Sequence, residues 1–430
     1  MAQDPHSADL IALFEAAVAR ALPARCLPGL FPDRPAGRLV VIACGKAGAS
    51  MARVAEQHYA GAIAEGRYEA LAVTRHGYGV ALEHTQLIEA GHPVPDEGSL
   101  KGAEAALELA DGAGTDDLVL VLLSGGASAV CAAPVAGLTL QGKQDLTRAL
   151  LRSGATIGEI NCVRKHLSRF KGGRLAAAAA PARIVTLAIS DVSGDAPDAI
   201  GSGPTAPDPT TLADARAVLA RYGIAPSPAV DAALNDPANE TPKPGDSAFA
   251  KSDYVLAATA AQSLEAAAQK AQDLGYRPVI LGDRLEGEAR DLAAAHARQA
   301  RDVQTSGGRT ALLSGGEVTV TLRGDGHGGP NQEYALALAL ALDGAPGIQA
   351  LAADTDGSDG GTGAFDDPAG AIIDWTTLKR AREANLDPAT FLQNNDSQMF
   401  FSDLGDLLVT GPTHTNVNDF RAILIDPPED

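Results

Sequence analysis

Asp117 to Val130 reads DLVLVLLSGGASAV, and this stretch decides the fold. Leu118 to Leu123 is an unbroken apolar run bounded by small turn residues. Such a run suits a central parallel strand buried on both faces, although periodicity alone also fits a buried helix segment. The five residues after it, Ser124, Gly125, Gly126, Ala127 and Ser128, carry almost no side chain, so backbone N–H groups and two hydroxyls can approach a ligand closely. A loop of this kind at the carboxyl end of a parallel strand is where open α/β sheets bind ligands. The plainer alternative is that small residues only let a strand turn under a helix. The same LLSGG recurs at Leu312 to Gly316 in TALLSGGEVTV, and the recurrence favours ligand loops at two strand ends, the second made of Ser314, Gly315, Gly316 and Glu317.

The totals bound the problem. A chain of 430 residues predicts two domains. A hydrophobic fraction of 45%, a charged fraction of 20% and only 4% aromatic residues describe a globular chain with small-residue contacts between α/β layers. A net charge of −20 argues against nucleic acid or an anionic membrane as partner, so an anionic substrate has to be met by a local positive site. Cys26, Cys44, Cys131 and Cys162 lack CxxC spacing, which speaks for buried thiols rather than zinc or disulfides. No signal peptide or membrane span is legible, and the expected location is the cytoplasm.

Along the chain, Ser7 caps a helix through Ala21, with Leu10, Phe14, Val18 and Leu22 on one face. Arg38 to Cys44 is a strand running into Gly45-Lys46-Ala47-Gly48 and a helix, the grammar of a phosphate site. A P-loop would need Gly at position 40 and Ser or Thr at 47, where Val40 and Ala47 stand. A dinucleotide fingerprint would need a third glycine beyond Gly45 and Gly48. What remains is Lys46, a cation at a strand end beside helix N–H groups, suited to phosphate; the alternative is a solvated surface lysine. His92, a lone histidine before proline, reads as structural more readily than as a substrate contact.

Thr139 caps a helix through Arg152, and INCVRKHLSRFKGGRLA then spans Ile160 to Ala176. On a helix Lys165 and Arg169 share one face, and Arg164 and Lys171 another. In a chain this acidic, that concentration of positive charge beside Gly172 and Gly173 reads as an anion site. Ile184 to Ile189 is a further buried strand, opening onto Asp191 and Asp195, candidate metal ligands or acceptors for a substrate hydroxyl, although such turn carboxylates also serve as plain caps.

Pro204 to Ser252, rich in Pro, Asp, Ala and Thr, is the expected domain boundary, with a second α/β unit starting at a strand Tyr254 to Ala257. That unit carries GHGGPNQE, ending in Asn331, Gln332 and Glu333, and a strand that releases Asp354-Thr355-Asp356-Gly357-Ser358-Asp359. Three carboxylates so close together are costly unless a cation answers them, so Asp354, Asp356 and Asp359 are the candidate metal ligands.

Taken together, LLSGGASA, INCVRKHLSRFKGGRLA, SDVSGDAPDAIGSGPT, GHGGPNQE, DTDGSDG and GPTHTNVND resemble the glycerate 2-kinase family whose C-terminal half is the MOFRL domain. The match runs over nearly the whole chain in order. It implies a Rossmann-like N-terminal kinase domain over 1–235, a smaller α/β MOFRL-type domain over 250–430, and a cleft between them. It also implies phosphorylation of D-glycerate to 2-phosphoglycerate with ATP and Mg2+, with Lys46 catalytic or in contact with phosphate. Asp191 and Asp195 join Lys46 as catalytic candidates. Gly45, Ser124 to Ser128, Asn161, Arg164, Lys165, His166, Lys171, Gly172, Ser314 to Glu317, Asn331 to Glu333, Thr413 and Asn416 are assigned to substrate or nucleotide. D-glycerate and ATP are the expected partners, and a homodimer the assembly considered. Two departures stand out: many relatives have Arg where this chain has Pro330, and Gly where it has His414. If that Arg stabilises the transferring phosphate, its role falls here to Arg323, His327 or the basic segment. Phosphoryl transfer needs positioning, cations around the phosphates and acids for Mg2+ and the acceptor hydroxyl, and the chain supplies all three. The alternative is an NAD(P)H-dependent hydroxypyruvate reductase, which lacks its dinucleotide loop here. A non-catalytic ligand-binding protein would leave the acidic loops unexplained.

Overall fold

The computed structural model describes residues 5–361, 364 and 366–427. They form two compact units, one spanning Pro23–Ala257 and the other combining the N-terminal segment through Leu22 with the chain from Ala258 onward.

The first unit is built on a six-stranded sheet of β1 (Leu39–Cys44), β2 (Tyr68–Arg75), β3 (Gln86–Ala90), β4 (Leu118–Leu123), β5 (Arg183–Ile189) and β6 (Ser252–Ala258), in the order β3-β2-β1-β4-β5-β6. The pairings among β1 to β5 are all parallel. β1 and β4 are buried along their whole length, because helices cover both faces of a parallel sheet and leave no polar side to alternate with. β1 and β4 run in register, Leu39 opposite Leu118 through Cys44 opposite Leu123, so both release their loops at one level. The strand order reverses between these two strands, and that switch point is where open sheets of this kind open a crevice.

Two expectations change here. The strand around Tyr254 belongs to this first sheet, where Tyr254 and Leu256 pack against its core, and does not begin the second unit. The Pro204 to Ser252 segment is likewise no linker: helices Leu212–Arg221 and Pro228–Asn235 bury Leu212, Val218, Leu219, Val230 and Leu234 with Leu150 and Val163.

The second unit holds a six-stranded mixed sheet of β7 (Arg277–Glu288), β8 (Thr310–Thr319), β9 (Ile348–Asp354), β10 (Gly370–Ile373), β11 (Leu407–Leu408) and β12 (Asp419–Ile425), ordered β11-β10-β9-β12-β8-β7. Only β7 and β8 pair parallel; the other pairings are antiparallel. The N-terminal helix Pro5–Ala21 lies in this unit, although the sequence groups it with residues 1–235. Its Leu10, Leu13, Phe14, Ala17 and Val18 fill a core with Leu264, Leu351 and Phe420. An amphipathic stripe specifies that a helix buries one face, not which sheet receives it.

Candidate active site

At the switch point the loops after β1 and β4 are interlocked. Ser124 N donates to Cys44 O at 3.0 Å, Lys46 N to Gly125 O at 2.8 Å, and Ala47 N to Ser124 Oγ at 3.0 Å. Gly45 sits at φ 121°, and a Cβ there would overlap the Ser124 carbonyl oxygen and Oγ, so its missing side chain serves the contact between loops. Gly126, at φ 80°, caps the short helix Ala127–Val130. A Cβ on it would come 3.0 Å from the His92 ring and 3.2 Å from Lys46 Cγ. His92 therefore lines the same loop as Lys46, a placement its local sequence did not signal. Thr74 Oγ1 donates to Lys46 O at 3.2 Å, a second support with no motif to announce it. The helix Gly48–His58 follows, its first turn offering N–H groups at the crevice.

The basic segment divides in two. The helix Ile157–His166, capped by Thr156, ends at His166, so Arg164 and Lys171 do not share a continuous helix. They converge nonetheless, through tertiary contacts on Ser128. Arg164 Nη2 donates to Ser128 Oγ at 2.7 Å and Arg164 Nη1 to Asn161 Oδ1 at 3.3 Å, while Lys171 Nζ donates to Ser128 O at 2.7 Å and to Cys131 O at 3.0 Å. Ser202, outside the expected set, joins with its Oγ 2.8 Å from Ser128 Oγ. Gly172 N and Gly173 N donate to Ser202 O and Gly203 O at 3.0 Å and 2.7 Å, which folds KGG and GSGP into one turn.

Lys165 and His166 are engaged elsewhere. Lys165 pairs with Asp198 and Asp208, and His166 bridges Cys162 O and Glu240. Both are buried and act as internal struts, because successive residues of a helix point about 100° apart. Arg169, exposed and beyond the helix, pairs with Glu104.

Asp191 and Asp195 follow β5, next to β4, and both are half-buried. Asp195 holds a left-handed φ of 56°, unusual for a residue with a side chain. Tyr254, also outside the expected set, is half-buried; desolvation first, then the charges of Asp191 and Asp198, push its phenol above the ordinary range.

In the second unit, LLSGG is not a strand end. Leu312 to Gly316 lie inside β8, with Ser314 opposite Arg421 and Gly316 opposite Asp419 on β12, and Glu317 is an exposed strand residue. Of GHGGPNQE, Asn331, Gln332 and Glu333 face inward too, while His327 is exposed. Asp359 accepts from Asn331 N at 3.0 Å, Asn331 Nδ2 at 3.2 Å, Gln332 N at 2.8 Å and Gln332 Nε2 at 3.0 Å, which braces the start of the helix Pro330–Leu342. Burial outweighs those donors and raises the Asp359 carboxyl to about 6. Glu333 accepts from Arg290 Nε at 2.7 Å and Asn395 Nδ2 at 2.9 Å. Asp419 takes Asn331 Nδ2 at 2.6 Å and pairs with the buried Arg421.

The acidic loop and the loop of Thr413 and Asn416 are laced together. Thr413 N donates to Asp356 O at 3.1 Å, Thr413 Oγ1 to Thr355 O at 2.6 Å, and Asn418 N to Asn416 Oδ1 at 3.1 Å. Asp356 accepts from Ser358 N at 2.8 Å and is fully buried; Asp354 accepts from Asp356 N at 2.9 Å and is half-buried. Among the described residues no group of three or more His, Cys, Asp or Glu side chains is arranged to hold a metal ion. The three carboxylates thus do not form a protein cage. Mg2+ does not demand one, since it usually takes one or two carboxylates together with substrate phosphates. Among the described residues no helix is long and apolar enough to cross a membrane.

Residues 9–235 match the family described as a domain of unknown function, DUF4147, and residues 310–419 match the MOFRL family. The chain is 48% identical over 419 residues to a protein of Agrobacterium vitis named "Putative hydroxypyruvate reductase", covering 96% of this chain and 93% of that one. It is 39% identical over 429 residues to the "D-glycerate 2-kinase" of Thermotoga maritima, covering 98% and 99%. The crystal structure of glycerate kinase from Thermotoga maritima matches with a TM-score of 0.85 over 98% of this chain and 100% of that one, at 39% identity. With both family regions in order and close relatives matched nearly end to end, the chain belongs to the glycerate kinase family of enzymes, in its DUF4147 and MOFRL organisation.

Proposed function

We propose that this enzyme transfers the γ-phosphoryl group of ATP to the 2-hydroxyl of D-glycerate, with Mg2+, giving 2-phosphoglycerate. The observation that carries the reading is the crevice between β1 and β4, where Lys46 and the Ser124 to Ser128 loop meet and two further cations, Arg164 and Lys171, converge on Ser128. Phosphoryl transfer rests on positioning and on charge placed where the transition state needs it. In this reading Lys46 and the helix N–H groups behind it hold phosphate oxygens. Asp191 and Asp195 are the half-buried acids available to take the acceptor proton or to share a metal. Mg2+ would be held by carboxylates such as these and would supply charge neutralisation for the phosphates. Of the acidic loop, Asp354 is the half-buried carboxylate and the candidate metal ligand in this reading, whereas Asp356 and Asp359 are buried.

The reductase reading has two observations in its favour: strand order 3-2-1-4-5-6 is also that of dinucleotide-binding sheets, and the 48%-identical Agrobacterium vitis relative carries the reductase name. Against it, Gly45 approaches Ser124 where a dinucleotide loop would approach pyrophosphate, and the third glycine is absent. Mass spectrometry of D-glycerate with ATP and Mg2+, beside hydroxypyruvate with NADH and NADPH, decides between them. The expected result is ADP and a phosphoglycerate. Robust NAD(P)H oxidation without kinase activity would sink the proposal.

A further inference from the structure

The basic side chains of Ile160 to Arg174 differ in what neutralises them. Lys165, His166 and Arg169 each have a carboxylate partner. Arg164 and Lys171 have hydrogen bonds to hydroxyl, amide and carbonyl oxygens, and no carboxylate partner among the described residues. Nearby Lys143, 6% exposed, donates to Leu167 O at 3.1 Å and likewise has no carboxylate. These charges oppose one another: burial, then Arg164, lowers Lys171 to about 7, and burial, then Lys171, Arg164 and Arg174, depresses Lys143. Gathering like charges away from water without a counter-ion is costly, and in a chain of net charge −20 acids were plentiful. Lys143 and Lys171 can meet that cost by losing their protons, whereas Arg164 cannot, which leaves Arg164 as the cation in want of an anion.

The geometry says which atoms meet it. The half-buried Arg164 guanidinium is pinned through Nη2 on Ser128 Oγ and through Nη1 on Asn161 Oδ1, which holds its plane. Ser128 Oγ lies 2.8 Å from Ser202 Oγ, and Ser202 Oγ donates to Asn161 Oδ1 at 3.4 Å. Ser202, 1% exposed, is held at φ 61° between Gly201 and Gly203, with its carbonyl oxygen accepting from Gly172 N. Lys171, fully buried, clamps the carbonyls of Ser128 and Cys131 from beneath. A planar cation beside two hydroxyls suits a small oxyanion bearing a neighbouring hydroxyl.

We propose that the Arg164 guanidinium, its plane set by Ser128 and Asn161, holds the carboxylate of the hydroxy-acid acceptor, and that Lys171 is the positioning residue that keeps Ser128 in place. The proposal deepens the kinase reading by separating the acid-binding cation from the phosphate-binding one, Lys46. It also explains how a neutral polyol with the same hydroxyls would be refused. A nucleotide phosphate shares the oxyanion chemistry, so the test must distinguish the two sources.

Arg164→Met and Arg164→Lys are to be made in the full chain, with KM for D-glycerate and for ATP measured separately. Melting temperatures are to be taken with D-glycerate, inorganic phosphate and glycerol. Arg164→Met is expected to raise the KM for D-glycerate roughly tenfold to a hundredfold, with the KM for ATP within about twofold, as loss of a charge-assisted bond predicts. Arg164→Lys should lie between. D-glycerate should raise the melting temperature of the wild type but not of Arg164→Met, and glycerol should raise neither. Lys171→Met should also raise the KM for D-glycerate, and Lys171→Arg should reverse part of that rise. A rise confined to the KM for ATP, or loss of the phosphate response alone, would overturn the assignment in favour of nucleotide phosphate. Unchanged constants in both Arg164 variants would overturn it outright. Should the wild type fail to phosphorylate D-glycerate while the Arg164-dependent thermal response persists, the kinase reading falls and the carboxylate site stands.

Discussion

Leu122 to Gly126 and Leu312 to Gly316 are the same five residues in two different conformations. In the first copy the strand stops at Leu123, and Ser124, Gly125 and Gly126 turn out into the loop that receives Lys46 N and Ala47 N. In the second copy the strand runs on to Thr319. Neighbours decide the difference. Ala127 and Ser128 start a helix after the first copy, whereas Glu317, Val318 and Thr319 continue the second along the antiparallel partner β12. The glycines accordingly do different work. Gly126 adopts a left-handed turn beside His92 and Lys46, and Gly316 admits the backbone of Leu285 where β7 bulges against β8.

The largest effect should come at the first copy's own cation. Lys46→Ala is expected to cut turnover about a hundredfold or more, roughly 2–4 kcal/mol of lost transition-state stabilisation, with the melting temperature little changed. An unchanged rate would return Lys46 to the surface and remove the functional half of the comparison.

The paired glycine variants set the two copies against each other directly. A Cβ at Gly316 overlaps backbone atoms of Leu285 that cannot swing aside. Gly316→Ala should therefore cost roughly 2–5 kcal/mol of stability, read by denaturant or thermal unfolding. Gly126→Ala meets only side chains, at 3.0–3.2 Å. It should cost about 1 kcal/mol of stability for its left-handed backbone, while displacing His92 and Lys46 enough to lower turnover roughly tenfold. A stability loss at Gly126 equal to that at Gly316, with full activity, would erase the distinction.

Asp359 tests whether the second unit's polar residues are braces or ligands. Replacing its carboxylate by an amide turns an N–H₂ toward donors of Asn331 and Gln332, and Asp359→Asn should lose roughly 1–3 kcal/mol of stability. The melting temperature should stay depressed as Mg2+ is raised; recovery with Mg2+ would make Asp359 a metal ligand.

The smallest expected effect is at Glu240, which ties His166 into its internal position. Burial raises its pKa, but hydrogen bonds from Lys243, Leu212 N and His166 outweigh that and bring it down to about 2. Its contribution is present above its ordinary value near 4.5 and is lost as pH falls through about 2. Glu240→Gln should cost about 1 kcal/mol or less at neutral pH, since the pair is partly solvated, and the gap from wild type should close over that acid range. A gap independent of pH would show that the charge contributes nothing.

How much was legible differs by residue. The β4 strand, the capped helix after Thr139 and the Lys46 turn could be read from the sequence, because an apolar run, a cap and a glycine turn each act within a few residues of chain. The convergence of Arg164 and Lys171 was expected from a shared helix face and is achieved without one. The inward use of Asp359, Asn331, Gln332, Lys165 and His166 was not legible, since a polar residue in a glycine-rich motif serves a ligand or a buried network with the same local sequence. His92 was read as structural more readily than as a substrate contact, Ser202 lay within a quoted motif without being singled out, and Thr74 and Tyr254 carried no signal of a site role.

By itself, then, the sequence determined the α/β class, the placement of the first ligand loop at a strand end and the local charge of the basic segment, because these follow from side-chain periodicity, backbone freedom and composition. Only the tertiary structure decided which sheet received the N-terminal helix and the Tyr254 strand, which copy of LLSGG stayed extended, and which cations of the basic segment were placed on carboxylates and which on hydroxyl, amide and carbonyl oxygens. Those outcomes depend on partners tens to hundreds of residues away, through hydrogen bonds and contacts that no short window of sequence contains.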